Sequence, residues 1–198
     1  MASVVATRKE SVVQDPPIAK LLFNDKRAGW LWFLLRIWLG WQWIQASLHK
    51  ISDPAWVQTG AALKGYWTAA VAIPTAAGAK PAISFDWYRS FLLMLLNSGS
   101  YTWFAKVIAY SEFLIGIALI IGAFTGIAAF GGALMNWNFM MAGSASTNPM
   151  LFIIAIGLIL AWKVAGYVGA DFFLLKFLGT PWKPGTITGK SAEKEVAV

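Results

Sequence analysis

An all-α integral membrane fold, a four-helix transmembrane bundle with interfacial helices in its first long loop, is the architecture this chain predicts. Three observations carry the prediction. The 198 residues are 58% hydrophobic, with a mean hydropathy of +0.60, too apolar for an ordinary soluble domain of this length. Charged residues make up only 13% and gather at the two ends and in one long loop. Four segments approach the roughly 20 apolar residues that a helix needs to cross a bilayer.

Residues 1–27 read as a cytoplasmic tail. They contain no apolar core or cleavage site of a signal peptide, and the double proline Pro16-Pro17 with the mixed charge suggests a tail that is poorly ordered at first and then lies along the membrane. The spans follow at about 28–48, 101–122, 125–143 and 149–170. Gly122-Ala-Phe-Thr-Gly126 reads as a tight turn between spans two and three. Asn148-Pro149 reads as the start of span four, with Asn as N-cap and Pro in the first turn. The loop 52–100 is too long for a plain connection. Within it, 55–73 is amphipathic, and 85–97 is too short to span and fits a re-entrant or interfacial helix. Residues 179–198 read as a flexible tail. Lys and Arg are dense in both tails and absent from the connections after spans two and three. The expected topology is therefore multi-pass in the inner (plasma) membrane, both termini cytoplasmic.

The net charge of +7 fits contact with anionic headgroups rather than nucleic acid, because no basic soluble face exists. There are no cysteines and a single histidine, His49. These counts remove disulfides, thiolate nucleophiles, cluster ligation by cysteine and bis-histidine haem ligation by this chain alone. No metal-ligand spacing, phosphate loop or nucleophile–base set is present.

The informative polar residues lie inside the apolar runs. Arg36 and Glu112 are charges within spans one and two, and an intramembrane charge is a functional-site candidate by default. In span one, Arg36, Gly40, Trp43, Ser47 and Lys50 share one helical face; Gln42, Gln45 and His49 share another. In span two, Ala105, Ala109, Glu112 and Gly116 form a small face suited to close approach. At 1.5 Å per residue, Arg36 stands roughly 12 Å and Glu112 roughly 15 Å from the cytoplasmic ends of their spans. The two charges are therefore expected to pair, as a catalytic site or as a clamp between helices. Asn136 and Asn138 mark span three, with interhelical hydrogen bonding the commoner role for such residues. Lys163, Tyr167 and Asp171 form an expected stripe near the inner end of span four.

The runs ALMNWNFMMAGSASTNPMLF and LAWKVAGYVGADFFLL, with LLRIWLGW…SLHK and YSEFLIGIALIIGAFTG, resemble the DoxX/DoxD membrane family over roughly residues 29–178. The resemblance implies a four-helix membrane bundle and a link to the membrane subunit of thiosulfate:quinone oxidoreductase. Such an enzyme oxidises thiosulfate to tetrathionate and reduces a quinone. By position, Arg36, Lys50, Glu112, Asn136, Asn138 and Asp171 match the family's polar positions. The expected site is then Arg36 and Glu112 at the chemistry, with His49, Lys50, Asn136, Asn138, Lys163 and Asp171 around a quinone or a small anionic sulfur substrate. Other membrane or redox subunits are the expected partners. The rival reading is a non-catalytic structural or assembly subunit of a larger respiratory or photosynthetic complex. A small-solute or proton transporter ranks last, since four spans without a duplicated half are few for a carrier.

Overall fold

The computed structural model describes residues 15–76, 78–180 and 183–187. The fold is all-α, with ten helices among the described residues. α1 (Pro17–Asn24) lies within the stretch read as a tail and leads through a 3-10 turn (Lys26–Ala28) into α2 (Gly29–Ser52). Three short helices follow, α3 (Pro54–Val57), α4 (Ala61–Val71) and α5 (Asp86–Asn97). α6 (Tyr101–Ile121) and α7 (Thr125–Met141) are joined by the expected tight turn. α8 (Asn148–Leu160), α9 (Trp162–Ala165) and α10 (Asp171–Leu178) complete the series. Residues 179–180 pair with 183–184 as a two-residue antiparallel hairpin, so part of the stretch read as a flexible tail carries regular structure. The rest of that stretch, 181–182 and 188–198, lies outside the described residues, as does most of the N-terminal tail.

Four helices, α2, α6, α7 and α8, form an up-and-down bundle. α2 packs most extensively on α6, and α7 on α8. One end of the bundle holds Gly29, Ile121, Thr125 and Leu160, and is termed basal; the other holds Ser52, Tyr101, Met141 and Asn148, and is termed the loop end. Among the described residues one helix, Tyr101–Ile121, is long and apolar enough by length and composition to cross a membrane. α8 is shorter than the expected fourth span. It stops at Leu160, and the chain turns through α9 and Gly166 into α10. The physical cause is tertiary. Asp171 is drawn inward to the α6–α7 turn, so a straight helix from 149 to 170 has no route.

The contact between α2 and α6 is set by two glycines. A Cβ on Gly116 would come 2.8 Å from the Gly40 carbonyl oxygen and 2.6 Å from Ile44 Cγ1. A Cβ on Gly40 would come 2.8 Å from the Gly116 carbonyl oxygen. The backbones therefore touch, and any side chain would force them apart. The Ser47 hydroxyl donates to the Ala109 carbonyl (3.0 Å), which fixes the same register two turns on. The small faces expected from spacing are the faces used. Arg36, Gly40, Trp43 and Ser47 of α2 are buried, as are Ala105, Ala109, Glu112 and Gly116 of α6.

Large apolar side chains stand on the outside of the bundle, and several polar and charged ones are buried within its apolar core. The interior holds Arg36, Ser47, Glu112, Thr125, Asn136 and Asp171, while Ile127, Ile153, Leu114 and Phe130 stand at least 60% exposed outside. Two apolar clusters fill the remaining core. One lies within the bundle around Trp32, Leu39, Trp43, Leu119 and Leu158. The other joins α4 and α5 to the loop ends of α6 and α7 through Leu63, Trp67, Tyr88 and Leu92. The amphipathic segments of the long loop thus pack down on the bundle.

Gly116→Val should separate α2 from α6 and destabilise the fold by about 1–3 kcal/mol, the usual cost of overpacking. Thermal unfolding of the purified protein in detergent should show it, and Gly65→Val, whose position has open space around it, should leave the midpoint nearly unchanged.

Candidate functional site

The bundle holds its buried charges in two separate nodes. With Gly40 opposite Gly116 and Ser47 opposite Ala109, Glu112 lies level with Ile44 and Arg36 lies level with Ile120. The two charges stand two turns apart, about 12 Å along the axis. The expected Arg36–Glu112 pair therefore does not form. Gly40 is eleven residues into α2, whereas Gly116 is five from the end of α6, so the basal ends of the helices are offset by about 9 Å. Depth counted from helix ends placed the charges level when they are not.

Glu112 pairs with Lys50 instead. Lys50 Nζ donates to Glu112 Oε2 at 2.7 Å. Helical side chains lean toward the N-terminus, so the lysine stem reaches back down α2, and its amine also approaches the Ala46 carbonyl (3.4 Å). The glutamate side chain is 1% exposed and the lysine 16%. Glu112 Oε1, the Trp43 Nε1–H and both amide atoms of Asn136 have no hydrogen-bond partner among the described residues. Trp43 packs on Gly132, where a Cβ would come 3.0 Å from Nε1, and Asn136 follows one turn later. Asn136 is thus buried as expected, yet it makes none of the interhelical hydrogen bonds expected of it.

Arg36 belongs to the basal node. Its Nη2 donates to the Val168 carbonyl (2.7 Å). The guanidinium lies directly on Gly122, where a Cβ would collide with it, and a Cβ on Gly169 would come 2.9 Å from Nη1. Asp171 completes the node by capping α7. Its Oδ1 accepts from the Phe124 N–H (2.6 Å) and its Oδ2 from the Thr125 N–H (2.8 Å). In return the Ile121 and Gly122 carbonyls accept from the N–H groups of Ala170 (3.0 Å) and Asp171 (2.7 Å). These bonds hold Phe124 in the left-handed region at φ 50°, a strained position for a side-chain-bearing residue. The charges also match the helix dipoles: a cation sits at the C-terminus of α6 and an anion at the N-terminus of α7. Arg36 and Asp171 thus secure a turn.

The other expected residues disperse. His49 is exposed on the outer face of α2, and Lys163 is exposed at the basal end. The helix expected to carry the Lys163–Tyr167–Asp171 stripe is broken, and the three residues meet instead in the lining of one basal cavity. None of the cavities described is lined by more than one of Arg36, Lys50 and Lys163, as their different depths predict.

One cavity adjoins the Lys50–Glu112 pair. It measures about 290 Å3 and lies between α4 and α5 and the loop ends of α6 and α7. Its walls are apolar, with Leu92, Leu95 and Met135 among them, and its polar groups are Tyr66, Tyr88, Ser111 and Asn138. Phe91, Val107 and Leu134 line it and are also partly exposed, which leaves its mouth on the apolar outer surface. Ser111 precedes Glu112 in the chain, and Phe139, another wall residue, has Lys50 Nζ 5.8 Å from its ring centre. The ion pair therefore stands behind the wall. The Tyr88 hydroxyl donates toward the Asn138 carbonyl (3.0 Å) with Asn138 Oδ1 at 3.1 Å, and Asn138 Nδ2 donates to the Leu134 carbonyl (2.8 Å). Burial pushes the Tyr88 hydroxyl up to about 12, so it keeps its proton, and its donor character, throughout the physiological range.

Of the expected site residues, Asn138 lines this cavity and Lys50 and Glu112 back it. Tyr66, Tyr88 and Ser111 were not singled out from the sequence. The available signal was the alternation of aromatic and polar residues in the amphipathic loop segments, which spacing alone does not aim at a cavity. No family model, no curated protein and no solved structure matches this chain. Among the described residues no group of histidine, aspartate and glutamate could hold a metal ion.

The two ends of the ion pair should respond unequally. Lys50→Met removes the ionic partner of a buried carboxylate and should destabilise the protein by about 3–5 kcal/mol. Glu112→Gln leaves a lysine whose flexible stem can carry its amine to the surface and should cost clearly less. Denaturant midpoints of the two single variants check the order.

Proposed function

We propose that this chain is a four-span membrane protein that serves as the quinone-binding subunit of a quinone-linked oxidoreductase. The observation that carries the proposal is the apolar cavity at the loop end. Its walls are apolar with few hydrogen-bonding groups, and a buried carboxylate with an unpaired oxygen follows Ser111 of the wall in the chain. Small-molecule sites have this composition: apolar walls and a small number of placed polar groups. The membrane part of the reading rests on the large apolar side chains exposed around the bundle and the charges buried within it. Charges inside and branched apolar side chains outside suit lipid, and α2 at 24 residues is about 36 Å long, enough to cross. α7 and the broken α8–α9 pair supply the remaining two spans.

A quinone accepts two electrons and two protons. The chain's residues divide that task by position. Leu92, Leu95 and Met135 hold an apolar ring and exclude water. The Ser111 hydroxyl donates to one of its oxygens, while the Tyr66 and Tyr88 hydroxyls, which donate to the Phe139 and Asn138 carbonyls, fix the wall around it. Glu112, tied to Lys50 through one oxygen, keeps the other free to pass a proton toward Ser111. The mouth between Phe91, Val107 and Leu134 lets an isoprenoid tail run into the lipid.

The family resemblance makes thiosulfate the best-bet donor. Two thiosulfates join through a new sulfur–sulfur bond to give tetrathionate, and the two electrons released, with two protons, convert the quinone to quinol. The charges expected to attract that dianion are dispersed, so the oxidation of thiosulfate is assigned to a partner subunit. A structural-subunit reading is favoured by one feature, the exposed face of α2 with Trp30, Leu34 and Trp41 more than half exposed, which offers a partner a broad apolar contact.

Thiosulfate-dependent quinone reduction, measured in lipid with the native co-purifying partners, decides between the two. Val107→Trp narrows the mouth from an exposed position, and Glu112→Gln removes the proton carrier. Each should lower turnover at least about ten-fold, the common size of a lost proton-transfer group being 10²–10⁴, with the helical content unchanged. Unaltered turnover in both variants, or none in the assembled wild type, supports the structural-subunit reading.

A further inference from the structure

The basal end carries a second site that the quinone reading does not use. A cavity of about 410 Å3 there is lined by Lys26, Lys163 and Lys176 together with Tyr167, Phe172 and Asp171. The three lysines come from three segments: the turn before α2, α9 and α10. Lys26 Nζ stands 5.0 Å from the ring centre of Tyr167, and Lys176 Nζ stands 3.5 Å from that of Phe172. The aromatic faces hold the Lys26 and Lys176 ammonium groups at the cavity. Both oxygens of the one carboxylate in the lining, Asp171, accept backbone N–H groups of the α6–α7 turn, and the lining sets three lysines against it. Asp25, next in the chain to Lys26, pairs with Arg27 (2.7 Å).

An apolar groove of about 440 Å3 adjoins this basic cavity. Ile127, Ile159, Trp162, Leu174 and Leu178 line it, and Asp171 and Leu175 line both spaces. α10 thus lies between a cationic hollow on one side and a greasy trench on the other. A free oxyanion would use the hollow alone. A molecule with an anionic phosphate joined to an acyl chain would use both, and basic hollows between membrane helices are suited to such headgroups.

We infer that the cavity beneath Lys26, Lys163 and Lys176 and the groove along Leu174 and Leu178 form one binding site for an anionic phospholipid. The phosphate rests among the three ammonium groups, and an acyl chain lies between α10 and the basal ends of α7 and α8. The inference rests on the membrane reading and is independent of the quinone.

The test uses the full chain in phosphatidylcholine vesicles doped with spin-labelled phosphatidylglycerol or spin-labelled phosphatidylcholine. Resistance to carbonate extraction of the same vesicles reports on the membrane reading by itself. In the inserted protein, phosphatidylglycerol should be immobilised in preference to phosphatidylcholine by roughly ten-fold, as expected for three lysines near one phosphate. Lys26→Gln, Lys163→Gln and Lys176→Gln combined should abolish the preference. Leu178→Asp, which places a charge in the groove, should weaken it, and Lys64→Gln at the loop end should not change it. An inserted wild type without preference, or a preference that survives the triple substitution, overturns the inference while leaving the membrane reading intact. Displacement of the lipid by millimolar inorganic phosphate or thiosulfate overturns it in favour of a free-anion site. A chain that carbonate removes overturns both.

Discussion

The backbone contact between Gly40 and Gly116 governs the rest of this structure. Two glycines, each leaving room for the other's carbonyl, bring α2 and α6 together at a single register. Every buried charge in the bundle is placed by that register. It sets Glu112 opposite Ile44, within reach of the lysine one turn beyond Ser47, and it carries Arg36 down to the level where α6 ends. A different register would leave a carboxylate and a guanidinium alone in an apolar interior, at a cost far above what a packing contact returns.

The separation of charges has a functional consequence. At the basal end, Arg36 and Asp171 are spent on architecture: one covers the C-terminus of α6, the other caps α7, and the strained Phe124 turn between them is held from both sides. Buried polar atoms without a partner among the described residues stand at both ends: Arg36 Nε and Nη1 and the Thr125 hydroxyl at the basal end, and Glu112 Oε1, the Trp43 indole N–H and the Asn136 amide toward the loop end. Buried polar groups are normally paired. What sets the loop-end group apart is its place beside the apolar cavity lined by Ser111 and Asn138.

Much of this was legible in the sequence, at the level of faces. Spacing alone grouped Arg36, Gly40, Trp43 and Ser47, and likewise Ala105, Ala109, Glu112 and Gly116, and these are the buried faces of α2 and α6. The turn at 122–126 and the helices within the long loop were also readable from glycine placement and amphipathicity. What was not readable depended on relations between distant segments. Helix ends are offset, so depth counted from the ends misassigned the partner of Glu112. Asp171 reaches the α6–α7 turn 46 residues away, and no local signal in 149–170 announces that the helix must break for it. The cavity arises only when α4 and α5 fold back over α6 and α7, so spacing within the loop does not aim Tyr66 and Tyr88 at it.

The most direct measurement of the central claim is photoaffinity labelling of the inserted protein with an azido-quinone, followed by peptide mapping. The account expects saturable labelling of α5, α6 and α7 around Phe91, Val107 and Leu134, suppressed by excess unlabelled quinone. Labelling confined to the basal groove along α10, or labelling that excess quinone does not suppress, would contradict it.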